Sequence, residues 1–403
     1  MTPPLLKVLL LENVHPSAQE AFEAEGFEVE ALKHALPEPA LRERVKGIHV
    51  LGIRSKTQVP ASVLAAAGDL LTLGCFCIGT NQVDLGAANK EGVPVFNAPF
   101  SNTRSVAELV IAEIIALTRQ LFDRSREVHE GKWRKVSLGS HEVRGKTLGI
   151  VGYGHIGSQL GVLAESMGMR VLFYDVQTKL PMGNNSWVNT LEELLASSDF
   201  VTLHVPALPS TQGMIGAREL AWMRPTASLI NASRGTVVDL KALAEAIRSQ
   251  KLGGAAVDVY PEEPESNSDG FVSELQNLPN VILTPHIGGS TEEAQASIGR
   301  EVSTSLIKFA RTGATTGSVN FPQMELPLPR GTHRILNVHR NVPGVLRDIN
   351  KIVSDLEGNI ASQMLSTDAN IGYLIMDLEQ DVAAAVSARI GALSTDIRTR
   401  MLR

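Results

Sequence analysis

With 403 residues and 43% hydrophobic content, the chain is long enough for two or three domains with proper cores and has an ordinary soluble composition. Its formal net charge of -6 is spread without long basic runs, which disfavours nucleic acid and anionic membrane as partners. The apolar start from Met1 to Leu11 holds only Lys7 before Glu12 and Asn13 break it. It is too short to span a bilayer and lacks a small-residue cleavage site, so it reads as the first strand of a cytoplasmic protein.

Strand candidates at Lys7 to Glu12, Val50 to Ile53 and Leu71 to Cys77 alternate with helical stretches such as Ser17 to Ala24, which predicts a first α/β unit. Cys75 and Cys77 fall at i, i+2 on one face of the third strand and read as buried, reduced thiols. Two sulfurs are too few for a structural zinc site, and no metal is expected. A long helical pattern from Ser105 to Arg124 follows the polar stretch Ser101 to Arg104 and reads as a crossover between domains.

The stretch from Leu148 to Asp175 sets a glycine-rich turn between two apolar strand candidates. Gly152, Gly154 and Gly157, with His155 and Ile156 among them, follow the run Leu148 to Val151 and open a helical pattern. Backbone amides at that helix start can face a pyrophosphate without obstruction by Cβ atoms. Asp175 ends the next strand, where its carboxylate would accept hydrogen bonds from both adenosine ribose hydroxyls and repel a 2′-phosphate. The cofactor expected is therefore NAD rather than NADP.

Further strands at Phe200 to Val205, Leu229 to Asn231, Ala255 to Val259 and Val281 to Thr284 continue a doubly wound sheet. The glycine loop lies in mid-chain, and a second helical stretch, Thr291 to Phe309, mirrors the first crossover. A Rossmann-type nucleotide domain, residues 102–288, is thus expected as an insertion in a discontinuous, flavodoxin-like substrate domain of residues 1–101 and 289–325, with a cleft between them. Phe321 to Gly331 carries three prolines and reads as an extended linker. Beyond it, residues 331–403 run as strand Ile335 to Val338, helix Val345 to Glu357, strand Ile360 to Ser366, strand Tyr373 to Leu378, helix Val382 to Ile390 and a short last strand. That order is ferredoxin-like.

Three polar residues close separate strands: Arg234 in LINASRGTVVD, Glu263 in AAVDVYPEEP and His286 in VILTPHIGG. The carboxyl ends of strands in a doubly wound sheet converge on the ligand crevice, so residues far apart in sequence can meet there. Oxidation of a secondary alcohol by NAD needs a base for the hydroxyl proton, a role that suits His286. Glu263 would orient the imidazole and favour its protonated form, although Glu262 beside it is a rival. Arg234 would hold a substrate carboxylate bidentately.

GYGHIG with Asp175, NASRGTVVD, DVYPEEP and TPHIGGST resemble, in order, the signatures of the D-2-hydroxyacid dehydrogenases. GCFCIGTNQVDL and VFNAPFSNTRSVAELV narrow the likeness to the D-3-phosphoglycerate dehydrogenases of the shorter bacterial type, with one C-terminal module. The resemblance implies NAD-dependent oxidation of 3-phospho-D-glycerate to 3-phosphooxypyruvate, the entry to L-serine synthesis, with Arg234, Glu263 and His286 in the family's catalytic places. Along the cofactor it places Ala232, Ser233, Arg234, Asp258, His286, Ile287, Gly288 and Gly289. Asp258 would lie at the nicotinamide end, with a structural hydrogen bond as its competing role.

A phosphate on the substrate calls for cations away from the reacting carbon. Arg54 and Lys56 in GIRSKTQ, with Asn102 and Arg104 in SNTR, supply them at loop positions. Lys56 departs from the family pattern, which has arginine there, and a lysine is a point charge without the planar fork. The segment NVHRNVPGVLRDINKI resembles an ACT regulatory module. Asn341, Pro343 and Gly344 would leave free amides at a helix start, and His339 and Asn341 would add side-chain contacts. The resemblance implies L-serine as effector, with Asn359 reaching from a neighbouring module, and a homotetramer. The linker lacks the family's paired glycines, and Pro329 stiffens it. The competing functions are a dehydrogenase of another acid, such as hydroxypyruvate or 2-oxoglutarate, and an NAD-sensing binding protein.

Overall fold

The structure, a computed structural model, describes residues 5–264, 270–327 and 333–402. The chain forms two compact units, Met1–Ser101 with Gln295–Arg403 and Asn102–Ala294. No helix among the described residues is long and apolar enough to cross a membrane.

The first unit opens with β1 (Lys7–Leu10), α1 (Pro16–Ala24), β2 (Glu28–Ala31), α2 (Glu38–Arg44), β3 (Val50–Ile53), α3 (Ala61–Ala66), β4 (Thr72–Cys75), α4 (Leu85–Lys90) and β5 (Val95–Asn97). The strands pair in parallel in the order β2-β1-β3-β4-β5, the flavodoxin-like arrangement. β3 and β4 are buried along their whole length, because helices cover both faces of such a sheet. Cys75 and Cys77 are free thiols; Cys75 is buried, which pushes its thiol pKa up, while Cys77 lies past the strand end and is half-buried.

The second unit begins with α5 (Thr103–Arg119) and α6 (Leu121–His129). One helix from Ser105 to Arg124 is what the sequence predicts. The chain instead breaks at Gln120, whose left-handed backbone, φ 49°, ends one helix and starts the next. There follow β6 (Thr147–Val151), α7 (His155–Ser166), β7 (Arg170–Tyr174), β8 (Ser186–Trp187), α8 (Leu191–Ser197), β9 (Phe200–Leu203), α9 (Ala217–Trp222), β10 (Ser228–Asn231), a 3-10 turn (Gly235–Val237), α10 (Leu240–Arg248), β11 (Gly254–Val257) and β12 (Val281–Leu283). Every pairing in this sheet, ordered β12-β11-β10-β9-β6-β7-β8, is parallel. The strand order reverses at β6, the doubly wound pattern in which ligands gather outside the strands' carboxyl ends.

The chain then returns to the first unit through α11 (Glu292–Thr312). It closes with β13 (His333–Arg340), α12 (Val345–Asp355), β14 (Ile360–Thr367), β15 (Ile371–Leu378), α13 (Gln380–Gly391) and β16 (Asp396–Leu402). The antiparallel order β14-β15-β13-β16 makes this the ferredoxin-like module. One face of its sheet carries α12 and α13 over Ile335, Leu374 and Met376. The other face, with Leu336, Val338, Tyr373 and Ile375, packs into the same core as Val8, Phe96 and Phe309. The module therefore shares the core of the first unit instead of hanging from a loose tether. Phe321 and Met324 of the expected linker are buried in that core. Buried Arg334 pairs with Asp377 and donates to the carbonyls of Thr312, Leu326 and Pro327. Pro329 lies outside the described residues.

Candidate functional site

The glycine turn of the second unit is built around close approaches. At Gly152, φ 91°, a Cβ would meet the His204 carbonyl oxygen at 2.3 Å, and one at Gly157 would meet the Gly152 carbonyl oxygen at 2.3 Å. Side chains at either position would push α7 away from β6 and β9. A Cβ at Gly154 would meet nothing within 4 Å, so the approach to the start of α7 is open there, and Gly154 caps that helix with no side-chain bond. Asp175 follows β7, and its oxygens accept the amides of Tyr153 and Gln177, both at 2.9 Å. Each oxygen keeps a lone pair for a further donor. The set fits a dinucleotide, with the helix start for the pyrophosphate and the acid for the ribose.

Arg234, Glu263 and His286 follow β10, β11 and β12, three neighbouring parallel strands. The loops bearing Arg234 and Glu263 touch only because residue 235 is glycine: a Cβ there would lie 2.0 Å from the Tyr260 carbonyl oxygen and 2.4 Å from the Pro261 nitrogen. Asn231, at the end of β10, ties down the Arg234 loop. Its oxygen accepts the Ser233 amide and hydroxyl at 3.1 and 2.8 Å, and its nitrogen donates to the Arg234 carbonyl at 3.0 Å. The Arg234 guanidinium donates to the Ser233 carbonyl at 2.7 Å.

His286 Nδ1 lies 2.9 and 3.0 Å from the two carboxylate oxygens of Glu263, whose Oε1 also accepts the Tyr260 amide at 3.2 Å. Both acids are exposed, and it is the contact with His286 that distinguishes Glu263 from Glu262. The hydrogen bond to Glu263 raises the imidazole pKa above its ordinary value, against burial and the nearby charge of Arg234. Burial pulls the Glu263 carboxyl upward, but the His286 hydrogen bond and charge, the Tyr260 amide and Arg234 outweigh it and hold its pKa below the usual carboxylate range. With Nδ1 committed to Glu263, Nε2 is the nitrogen left for proton transfer.

Asp258 is buried beneath this loop. Its Oδ1 accepts the Thr284 hydroxyl at 2.7 Å and the Ile287 amide at 2.8 Å, and its Oδ2 accepts the Gly288 amide at 2.8 Å. The carboxylate and both amides are thus engaged with one another. On α5, Glu113 is buried with neither carboxyl oxygen hydrogen-bonded among the described residues. Burial and then the charge of Asp258 raise its pKa to about 8. Nothing in the sequence marked Glu113 apart from other helix acids.

The four residues expected at the substrate phosphate divide between the units. Arg54 and Lys56 sit in the loop after β3 of the first unit. Asn102 and Arg104 open α5 in the second, where a Cβ on Gly289 would meet Asn102 Nδ2 at 2.4 Å. Arg104 is exposed and paired with Glu108 at 2.5 Å, one helical turn on.

In the C-terminal module, His339 is buried and lies across Gly372, where a Cβ would approach Nε2 to 2.2 Å. Its Nδ1 is 2.8 Å from Asn337 Oδ1, and Asn337 Nδ2 donates to Asp396 at 2.7 Å and to the Thr399 hydroxyl at 2.9 Å. Both amide hydrogens of Asn337 are so used, which makes its oxygen the acceptor and puts the imidazole proton on Nδ1. Burial lowers the pKa of that ring. Asn341 and Asn359 are exposed, their carboxamides donating to the Asp368 carbonyl at 2.7 Å and to Glu379 at 3.0 Å. The free amide expected at Asn341 donates to the Asn370 carbonyl at 2.9 Å.

Residues 111–288 match the family described as D-isomer specific 2-hydroxyacid dehydrogenase, NAD binding domain, and residues 335–397 match the AHAS small subunit-like ACT domain. A D-3-phosphoglycerate dehydrogenase of Dictyostelium discoideum is 55% identical over 397 residues, 98% of this chain and 97% of the relative. One from Escherichia coli is 52% identical over 400 residues, with 98% and 97% covered. Among solved structures, a pyruvate reductase of Chlamydomonas reinhardtii superposes with a TM-score of 0.67 at 28% identity, over 76% of this chain and 96% of that one. D-2-hydroxyisocaproate dehydrogenase superposes with a TM-score of 0.70 at 25% identity, over 78% of this chain and all (100%) of that one.

Proposed function

The chain belongs to the D-3-phosphoglycerate dehydrogenases, NAD-dependent oxidoreductases, and from that premise we propose how its residues divide the oxidation of 3-phospho-D-glycerate to 3-phosphooxypyruvate. NAD would supply the hydride acceptor for C2. The helix start at Gly154 and the Asp175 carboxylate would hold its pyrophosphate and adenosine ribose. His286 Nε2 removes the C2 hydroxyl proton as the carbonyl forms, and the imidazolium so produced is stabilised by Glu263 across Nδ1. Arg234 holds the substrate carboxylate beside the reacting carbon, and Arg54 and Lys56 read the phosphate. Residues 102–288 serve as the cofactor domain and residues 1–101 with 289–325 as the substrate domain.

The observation that carries this reading is the Glu263 carboxylate 2.9 Å from His286 Nδ1, with the charge of Arg234 acting on both groups. NADH formation from 3-phosphoglycerate tests it. Wild-type turnover and a loss of roughly 10²- to 10⁴-fold in His286→Ala are expected. No turnover by wild type, or full turnover by the variant, overturns it.

The ACT module senses an amino acid, and we take that amino acid to be L-serine, bound at residues 331–403 by His339 and Asn341 with Asn359 of a second copy, in a homotetramer. Inhibition by L-serine but not by D-serine, and a sedimentation mass of four chains, are the expected results. Two free thiols suit a reducing cytoplasm.

A further inference from the structure

The parallel sheet of the first unit reverses its strand order between β1 and β3, where ligands of flavodoxin-like sheets gather. At that point the chain leaving β1 is folded back sharply. The Leu11 amide still donates to the Gly52 carbonyl at 2.8 Å, but Glu12 and Asn13 both take left-handed backbone, φ 64° and 54°. Two successive non-glycine residues in that region are uncommon. The turn places the Glu12 side chain under the loop that follows β3. There its carboxylate, in a residue 8% exposed, accepts three amides: Oε1 from Arg54 at 3.1 Å and Thr57 at 2.8 Å, and Oε2 from Lys56 at 3.0 Å. Gln82 Nε2 closes the loop from the other side, donating to the Arg54 carbonyl at 2.7 Å.

Converging backbone amides make an anion-binding concavity. Here the protein's own carboxylate fills it. A phosphate approaching those three amides would meet the Glu12 charge, so the amides of Arg54, Lys56 and Thr57 are closed to it. We infer that Glu12 is a positioning residue for substrate recognition: it occupies the amide nest after β3, fixes the loop backbone, and leaves the substrate phosphate to be read by the Arg54 guanidinium and the Lys56 ammonium. This rests on the assignment of Arg54 and Lys56 to the phosphate. The carboxylate binds the main chain of the loop that carries both cations, and the Arg54 guanidinium donates to the Glu12 carbonyl at 3.5 Å.

Kinetics of full-length Glu12→Gln, read together with hydrogen exchange of segment 54–57, test the inference. The variant keeps one acceptor oxygen and loses the charge. KM for 3-phosphoglycerate should rise about tenfold, the scale of one lost charge-assisted hydrogen bond, with kcat changed far less. Turnover of D-glycerate, which lacks the phosphate, should not move, and the Arg54, Lys56 and Thr57 amides should exchange faster. An equal loss for both acids, or an unchanged KM for 3-phosphoglycerate, overturns the inference. Glu12→Asp, which keeps the charge but is one methylene short of all three amides, provides the same comparison if the glutamine variant does not fold; the same split is expected, and its absence is equally fatal. Arg54→Ala separates the two ideas. If it leaves the preference for the phosphorylated acid intact, the phosphate assignment fails, while the exchange of segment 54–57 in Glu12→Gln still decides whether Glu12 holds the loop.

Discussion

The carboxylate of Asp258 and the amide of Gly288 are 2.8 Å apart, and a Cβ on Gly288 would crowd that carboxylate at 3.0 Å. The same carboxylate grips Thr284 and Ile287, so both flanks of His286 are fixed to one buried acid while His286 itself holds a left-handed φ of 54°. Asp258 therefore sets where the imidazole sits, although it does not touch it. Asp258→Ala leaves the buried Gly288 amide without its acceptor, at a cost of about 1 to 3 kcal/mol, and frees the part-buried Ile287 amide and Thr284 hydroxyl at a smaller cost. We expect kcat to fall by about two orders of magnitude, because small misplacements of a catalytic group are expensive, and thermal stability to fall with it. Steady-state kinetics with a melting curve checks this; a wild-type kcat in a destabilised variant would refute the positioning role.

His286 and Glu263 set the acid limb of the pH profile. The oxidation needs His286 deprotonated, and its pKa is raised chiefly by the hydrogen bond to Glu263. Activity should therefore fall on the acid side with an apparent pKa above that of an ordinary histidine. Glu263→Gln removes the charge that favours the imidazolium, so the limb should move to lower pH even as maximal kcat falls. Profiles of log kcat/KM for the two proteins decide the matter, and a limb that stays in place means that the acid and the base are not coupled.

The strand-end residues were legible in the sequence because a parallel sheet forces the carboxyl ends of its strands together, so Arg234, Glu263 and His286 could be grouped without knowing any distance. The expectation of a discontinuous first domain has a similar basis, since the glycine loop lies too far along the chain to begin a domain. Gln120 was not legible, because a left-handed glutamine leaves the apolar periodicity of α5 and α6 unbroken. β2 escaped because Glu28–Ala31 is an edge strand with no buried run. Glu12 acts through partners 42 or more positions away, Asn337 is oriented by partners 59 and 62 positions away, and Glu113 has no hydrogen-bond partner among the described residues; no local pattern records any of these.

Glu113 makes a stability prediction of definite sign. Its folded pKa is raised to about 8 by burial, with Asp258 adding to it, whereas in the unfolded chain it titrates as an ordinary glutamate. Between about pH 4.5 and 8 the unfolded state gives up a proton that the folded state keeps, so stability contributed at low pH is lost as pH rises through that window. Glu113→Gln has no such proton to lose. Its melting temperature should exceed that of wild type by more at pH 8 than at pH 5, a comparison that calorimetry makes directly. An equal difference at both values would mean that the buried carboxyl is not held neutral.

Asp175 should govern the choice between NAD and NADP. In the proposed cofactor site its charge meets the adenosine ribose, while its two oxygens hold the Tyr153 and Gln177 amides. Asp175→Asn keeps an acceptor for the loop and removes the repulsion of a 2′-phosphate. The ratio of kcat/KM for NAD to that for NADP should fall by at least about tenfold, one charge-assisted contact and one repulsion being lost. If the ratio is unmoved, cofactor choice lies elsewhere in the unit.

Asn337 offers the sharpest test of the proposed effector site. Asp396 and Thr399 take both of its amide hydrogens, which forces its oxygen toward His339 Nδ1 and leaves Nε2 as a hydrogen-bond acceptor. Burial lowers the pKa of the ring, so at neutral pH His339 presents a lone pair and no charge. Such a group receives a hydroxyl or an ammonium and does not attract a carboxylate. Asn337→Asp would accept at both oxygens and stand against Asp396, favouring an imidazolium instead. The concentration of L-serine for half-inhibition should then rise by about tenfold or more, and L-alanine, which lacks the hydroxyl, should lose less than L-serine does if the hydroxyl is the donor that His339 receives. Equal losses for the two amino acids would assign the ammonium to His339, and no loss for either would remove His339 from the effector site.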